Sequence, residues 1–123
     1  MTIERVKSMF TLFTGQKDYE TYLPIISVSM FQVEKMLKEG ANFSDPRLDI
    51  LAGSVANYRY VQILSAQMET VSAYNGEMLV SDKNTGALKY AEGLMRDYMS
   101  MCSDLIGEQS AVFIATGGKD GYD

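Results

Sequence analysis

A chain of 123 residues with 46% hydrophobic side chains is sized for one domain and can bury a core without the staples that chains below about 40 residues need. That composition argues against disorder. A net charge of −5, with lysine and arginine scattered rather than clustered, disfavours sequence-specific nucleic-acid binding, which draws on a basic surplus.

Thr2 caps a first predicted helix that runs to Thr14, with Gly15 after its end and Glu4 placed to suit the helix dipole. Ile3, Val6, Phe10 and Phe13 form its apolar stripe. Asp18 is a candidate cap for the second helix. Pro24 implies a start near Leu23 or an irregular first turn. The expected seam is Leu23, Ile26, Met30, Val33 and Leu37, with Glu34 and Lys38 paired outside and Gly40 at the end. Asn42, Phe43 and Ser44 connect to a long third helix, capped by Ser44 or Asp45 and opened by Pro46. Leu48, Leu51, Val55, Tyr58, Val61, Leu64, Met68 and Val71 recur at helical spacing. They predict a rod of roughly 40 Å at the centre of the fold.

The pattern breaks between Ser72 and Gly86. Asn75-Gly76 signals a turn, residues 77–81 read as a short strand, and Asp82–Gly86 is polar. A fourth helix is expected from Thr85 to Ile106. Its stripe is Leu88, Ala91, Met95, Tyr98, Cys102 and Leu105; Glu92 supports Arg96, and Gly107 closes it. Residues 111–115, Ala-Val-Phe-Ile-Ala, suit a second short strand, and residues 117–123 have the composition of a flexible tail. The expected fold is mainly α: a four-helix bundle-like domain over residues 1–116, around one long central helix, with one or two short strands.

Chemistry-bearing patterns are sparse. With no histidine and one cysteine, Ser-His or Cys-His nucleophile pairs and zinc sites have no residues to build them. Cys102 lies on an apolar stripe and reads as a buried structural thiol. Asp82-x-Asn84 begins like a calcium loop, but Ala87 and Gly93 stand where Gly and Glu are required. Gly117-Gly118-Lys119 lacks the earlier glycine and the following Ser or Thr of a phosphate loop. Carboxylate pairs such as Asp97 with Asp104, or Glu34 with Glu39, read as solvated helix faces, and Asn42-Phe43-Ser44 as a chance glycosylation sequon. No cofactor, metal or enzymatic activity is expected. No run approaches the roughly 18 apolar residues of a membrane span. The opening segment Met-Thr-Ile-Glu-Arg-Val-Lys lacks a signal-peptide core, so a reducing, cytoplasmic setting is expected.

Nine methionines and eight tyrosines suit a protein whose surface meets other proteins. Candidate interface residues are Met78, Leu79, Val80, Phe113 and Ile114 on the two short strands, with Arg59 and Tyr60 in the Tyr58-Arg59-Tyr60 cluster. Tyr60 reads either as a core contact or, with Arg59, as a hot spot.

Several segments together resemble the small helical head–tail connector (adaptor) proteins of tailed bacteriophages and prophages. They are Ile3-Glu4-Arg5-Val6-Lys7, Phe13-Thr14-Gly15, Tyr22-Leu23-Pro24, Asp45-Pro46-Arg47-Leu48, Ala56-Asn57-Tyr58-Arg59-Tyr60 and Val80-Ser81-Asp82, followed by a closing apolar strand. The likeness covers residues 3–114 and rests on helix starts and packing residues. It implies a mostly helical subunit that forms a ring beneath the portal protein, contacts tail or stopper proteins, and ends in the virion neck. An acidic ring would give a lumen that does not trap phosphates. The alternative is a cytosolic helical adaptor or regulator that binds a single protein partner, as a dimer or one-to-one complex.

Overall fold

The computed structural model describes residues 1–75 and 79–107, with side chains over 1–68 and 86–107. Four helices follow one another: α1 (Ile3–Thr14), α2 (Tyr19–Met36), α3 (Pro46–Asn75) and α4 (Leu79–Met101). The 30 residues of α3 make a rod of about 45 Å. It packs against each of the other three helices, and α1 also packs on α2. From Leu51 to Tyr58 every residue of α3 is buried, so this segment has no solvent face.

The helix starts follow local chemistry. The Thr2 hydroxyl accepts from Arg5 N–H at 3.4 Å. Asp18 accepts from Thr21 N–H at 3.2 Å and from the Thr21 hydroxyl at 2.6 Å. Asp45 Oδ1 accepts from Arg47 N–H at 2.9 Å, and Pro46 opens α3 without needing a donor. Gly15 ends α1 at φ 76°, where its N–H donates to Thr11 O at 2.7 Å.

Helix boundaries differ from the sequence expectation at several places: α3 runs on to Asn75, α4 ends at Met101, five residues before Ile106, and three further differences have a clear physical reason. First, α2 starts at Tyr19, ahead of Pro24, which sits inside the helix. The carbonyl that proline leaves unpaired belongs to Glu20, on the exposed first turn. Second, α2 stops at Met36. Leu37 is extended and forms an isolated antiparallel bridge with Ile106. Lys38 therefore lies beyond the helix, and its Nζ donates to Ser103 O at 3.2 Å, away from Glu34. Third, the expected strand at 77–81 is not formed: Leu79, Val80 and Ser81 are the first turn of α4, which starts six residues earlier than Thr85. A three-residue apolar run does not separate strand from helix. Helix extension pairs its backbone in line, whereas a strand requires a neighbouring edge. Glu77 and Met78, and the second expected strand at 111–115 with the tail at 117–123, lie outside the described residues.

The core follows the middles of the stripes: of the expected positions Ile3, Leu64 and Met68 are exposed, Phe13, Val61, Leu88 and Tyr98 are half-buried, and the seam of α2 is shifted. Val6 and Phe10 of α1, Leu48, Leu51, Val55 and Tyr58 of α3, and Ala91, Met95 and Met99 of α4 are buried, with Cys102, Leu105 and Ile106 beyond. On α2 the buried positions are Ile26, Ser29, Val33 and Met36, while Leu23 is exposed and Met30 and Leu37 are half-buried. Ser29 enters the core because its hydroxyl donates to Ile25 O at 2.8 Å, leaving no free donor. Gly53 lets α1 come close to α3, since a Cβ there would press on the Met9 backbone.

Candidate protein interface

Phe10, Tyr22 and Tyr60 form a ring cluster where α1, α2 and α3 meet. Tyr60 stands edge-on to both Phe10, at 5.7 Å between centroids, and Tyr22, at 5.2 Å. Such tilted and edge contacts suit the aromatic quadrupole. The Tyr60 hydroxyl accepts from Gln16 Nε2 at 2.9 Å, which satisfies its buried polar tip. Burial, and then the neighbouring Tyr60, push the Tyr22 hydroxyl above the ordinary tyrosine range. Tyr60 is thus a core contact, one of the two roles open to it in the sequence.

This cluster closes one end of a groove between α2 and α3. A cavity of about 380 Å³ is lined by Thr21, Tyr22 and Ile25 on one side and Tyr60, Ile63, Leu64 and Gln67 on the other. A second cavity, of about 260 Å³, shares Ile25 and is lined by Pro24, Val28 and Arg59. Val28 is 53% exposed, and Ile63, Leu64 and Met68 are also exposed. The groove is therefore apolar surface left in water.

Arg59 sits at its edge, half-buried. Its guanidinium lies 5.5 Å from the Tyr58 ring centroid and donates one hydrogen bond, to Gln62 Oε1 at 2.9 Å. No carboxylate among the described residues lies within ion-pair distance of it. Among the described residues its remaining N–H donors meet no acceptor, and they suit carbonyl or carboxylate oxygens.

A second apolar surface lies on α4. Gly86, Lys89, Tyr90, Gly93, Leu94 and Asp97 recur every three or four residues along one face and line an open cavity of about 500 Å³. Tyr90 is 85% exposed. A Cβ added at Gly86 or Gly93 would meet nothing within 4 Å. The two glycines leave a shallow trough beside the tyrosine.

Of the residues singled out in the sequence, Arg59 and Tyr60 are brought together at the α2–α3 groove. Leu79 and Val80 stand in the first turn of α4, away from those two in the sequence of elements. Met78, Phe113 and Ile114 lie outside the described residues. Sequence reasoning missed Ile25, Val28 and Ile63. Their signal was an excess of apolar residues off the main seam, with Leu23, Ile25, Ile26, Val28, Met30, Phe31 and Val33 all crowded onto one helix.

A polar node sits where the start of α3 meets the end of α4. All five Arg47 donors are engaged: Nε and one Nη2 donor with Asp45, the other Nη2 donor and one on Nη1 with Asp104, and the last with Met101 O at 2.8 Å. Hydrogen bonds from Arg47 hold the Asp45 carboxyl down at about 2 and also lower Asp104. The buried Cys102 thiol is pushed up by desolvation and donates to Arg47 O at 3.7 Å. The node reads as a structural clasp. Among the described residues no helix is long and apolar enough to cross a membrane, and no group of three or more acidic or cysteine side chains is placed to hold a metal ion. No protein-family model matches the chain, and neither a curated protein nor a solved structure matches it.

Proposed function

We propose that this chain is a structural assembly subunit, a head–tail connector of a phage or prophage that forms a ring joining the portal to the tail. The observation that carries the reading is the presence of two unlike apolar surfaces on different helices, the α2–α3 groove with Arg59 and the α4 face with Tyr90. A two-fold dimer buries one patch against itself. A ring needs two different patches, one on each side of every subunit. The exposed aromatic and the half-buried guanidinium are residue types that dominate interface energetics. In this reading the first turn of α4, with Leu79 and Val80, and the apolar run with Phe113 and Ile114 supply further contacts for neighbours or for the portal. There is no turnover in this mechanism; the subunit acts by occupying a place.

Light scattering across a concentration series, alone and with a portal protein, tests this. A large closed oligomer, or a ring that forms only on the portal, is expected. Either Val28→Asp or Tyr90→Asp alone is expected to abolish it while leaving helix content unchanged, because a ring fails when either side fails. A monomer or dimer that ignores the portal would refute the connector reading. The groove alone, sized for one apolar segment, would then favour the single-partner adaptor.

A further inference from the structure

The two apolar surfaces carry complementary charge patterns. In the α2–α3 groove, Val28 and Arg59 line one cavity while Thr21 and Gln67 line the other, so the two walls run antiparallel. Arg59 marks the positive end. Glu20 marks the other end: it is exposed, in the first turn of α2, four residues before Pro24 and on the same row of that helix. On α4, Asp97 stands at one end of the apolar face and Lys89 toward the other, both exposed. Among the described residues none of these charges has an ion-pair partner.

The spacings match. Arg59 and Gln67 are eight residues apart on α3, Glu20 and Val28 on α2, and Lys89 and Asp97 on α4. Eight helical residues rise about 12 Å. With an α4 face laid antiparallel to α3 and Asp97 against Arg59, Lys89 therefore arrives at the Glu20 end. Leu94 and Tyr90 then stand within one residue's rise of Ile63 and Gln67, over the larger cavity. The reversed orientation would set Lys89 against Arg59 and Asp97 beside Glu20, two like-charge contacts. Lys89, Gly93 and Asp97 each lie two residues from the buried Ala91, Met95 and Met99, about 200° round the helix. This face thus points away from the core of its own chain and cannot fill its own groove.

From the matched charges and spacings we propose that the α4 face of one copy docks in the α2–α3 groove of a second copy, antiparallel to its α3. Asp97 meets Arg59, and Leu94 and Tyr90 enter the larger cavity. The contact joins unlike surfaces, so each pair of copies keeps one groove and one face free to add another. The inference rests on the proposed reading in that it names the subunit contact of the ring. The contact itself is a property of two free copies.

Disulfide trapping tests it in the full chain, with Cys102→Ala to remove the native thiol. Chains carrying Ile63→Cys and chains carrying Leu94→Cys are mixed in equal amounts and oxidised. The mixed disulfide is expected to form about tenfold faster than either like pair, because only unlike surfaces face each other. Adding Arg59→Asp to the groove chain should slow it about tenfold, and adding Asp97→Arg to the partner chain should restore it. Glu20→Lys with Lys89→Glu repeats the cycle at the other end with two exposed residues. Statistical proportions of mixed and like disulfides, an excess of like pairs, no trapping, or no rescue in either cycle would overturn the inference. A ring on the portal without the mixed disulfide would remove this contact and leave the connector reading standing. The mixed disulfide without any ring would do the reverse.

Discussion

Replacing Gly53 by alanine sets two effects against each other, and the structure decides which wins. Alanine improves intrinsic helix propensity by about 1 kcal/mol. Its Cβ, however, would stand 3.2 Å from the Met9 carbonyl carbon and 3.4 Å from Met9 Cα, and nearer still to Met9 Cβ. Carbon pairs are comfortable at about 3.5–4.0 Å. None of these atoms is the end of a flexible side chain, so α1 must shift as a body by about 1 Å. Overpacking of this kind costs about 1–3 kcal/mol, and contact with backbone belongs at the upper end. The net expectation is a loss of about 1–2 kcal/mol, or roughly 4 °C in Tm for each kcal/mol. Gly93→Ala is the matched control, because a Cβ there meets nothing within 4 Å. It should gain up to about 1 kcal/mol from propensity alone. Urea unfolding followed by circular dichroism reads both. A Gly53→Ala protein as stable as the parent, or the two variants moving in the same direction, would refute the close approach of α1 and α3.

Phe10→Ala removes a fully buried ring that touches Tyr22 and Tyr60. It should cost about 3–5 kcal/mol in the same urea assay. Asp45 and Asp104 have carboxyls held below their ordinary value of 3.8, Asp45 at about 2. A group lowered in the folded state contributes stability that is present above its ordinary value and lost as pH falls. The urea midpoint should therefore drop between about pH 4 and pH 2 more steeply for the parent than for Arg47→Met, which lacks the partner. Cys102, buried and with its thiol raised, should react with an aromatic disulfide reagent at least about 100-fold more slowly in the native chain than in urea.

What could be read from the sequence was what local chemistry decides. Thr2, Asp18 and Asp45 cap helices through side-chain oxygens two or three residues from their donors, so the starts of α1 and α3 were visible without any tertiary knowledge. The central rod was visible because Leu48 to Tyr58 repeats at the helical period. Distant partners hid the rest. Leu37 leaves the helix because Ile106 receives it. Arg47 finds Met101 and Asp104 at separations of 54 and 57 residues. Leu79 and Val80 look like a strand taken alone and become helix as α4 pairs with α3. The groove was hidden for a related reason. Helix α2 carries apolar residues on more than one face, and only the positions of its neighbours determine which face is core and which is left open. Arg59 was singled out by its company in the sequence, while Ile25 and Val28 needed the structure.

The clasp at the foot of α4 also has a temporal meaning. Helices α1, α2 and α3 follow one another in the chain and can pair as soon as each is complete. The Arg47 node and the Leu37–Ile106 bridge join segments far apart in sequence, so their loop-closure entropy must be met before they reward it. They are expected to form late in folding, so Arg47→Met should raise the unfolding rate and leave the folding rate unchanged in a chevron plot. Interactions absent from the folding transition state act on the unfolding rate alone. On that expectation the clasp sets how long the native subunit persists rather than how quickly it is made.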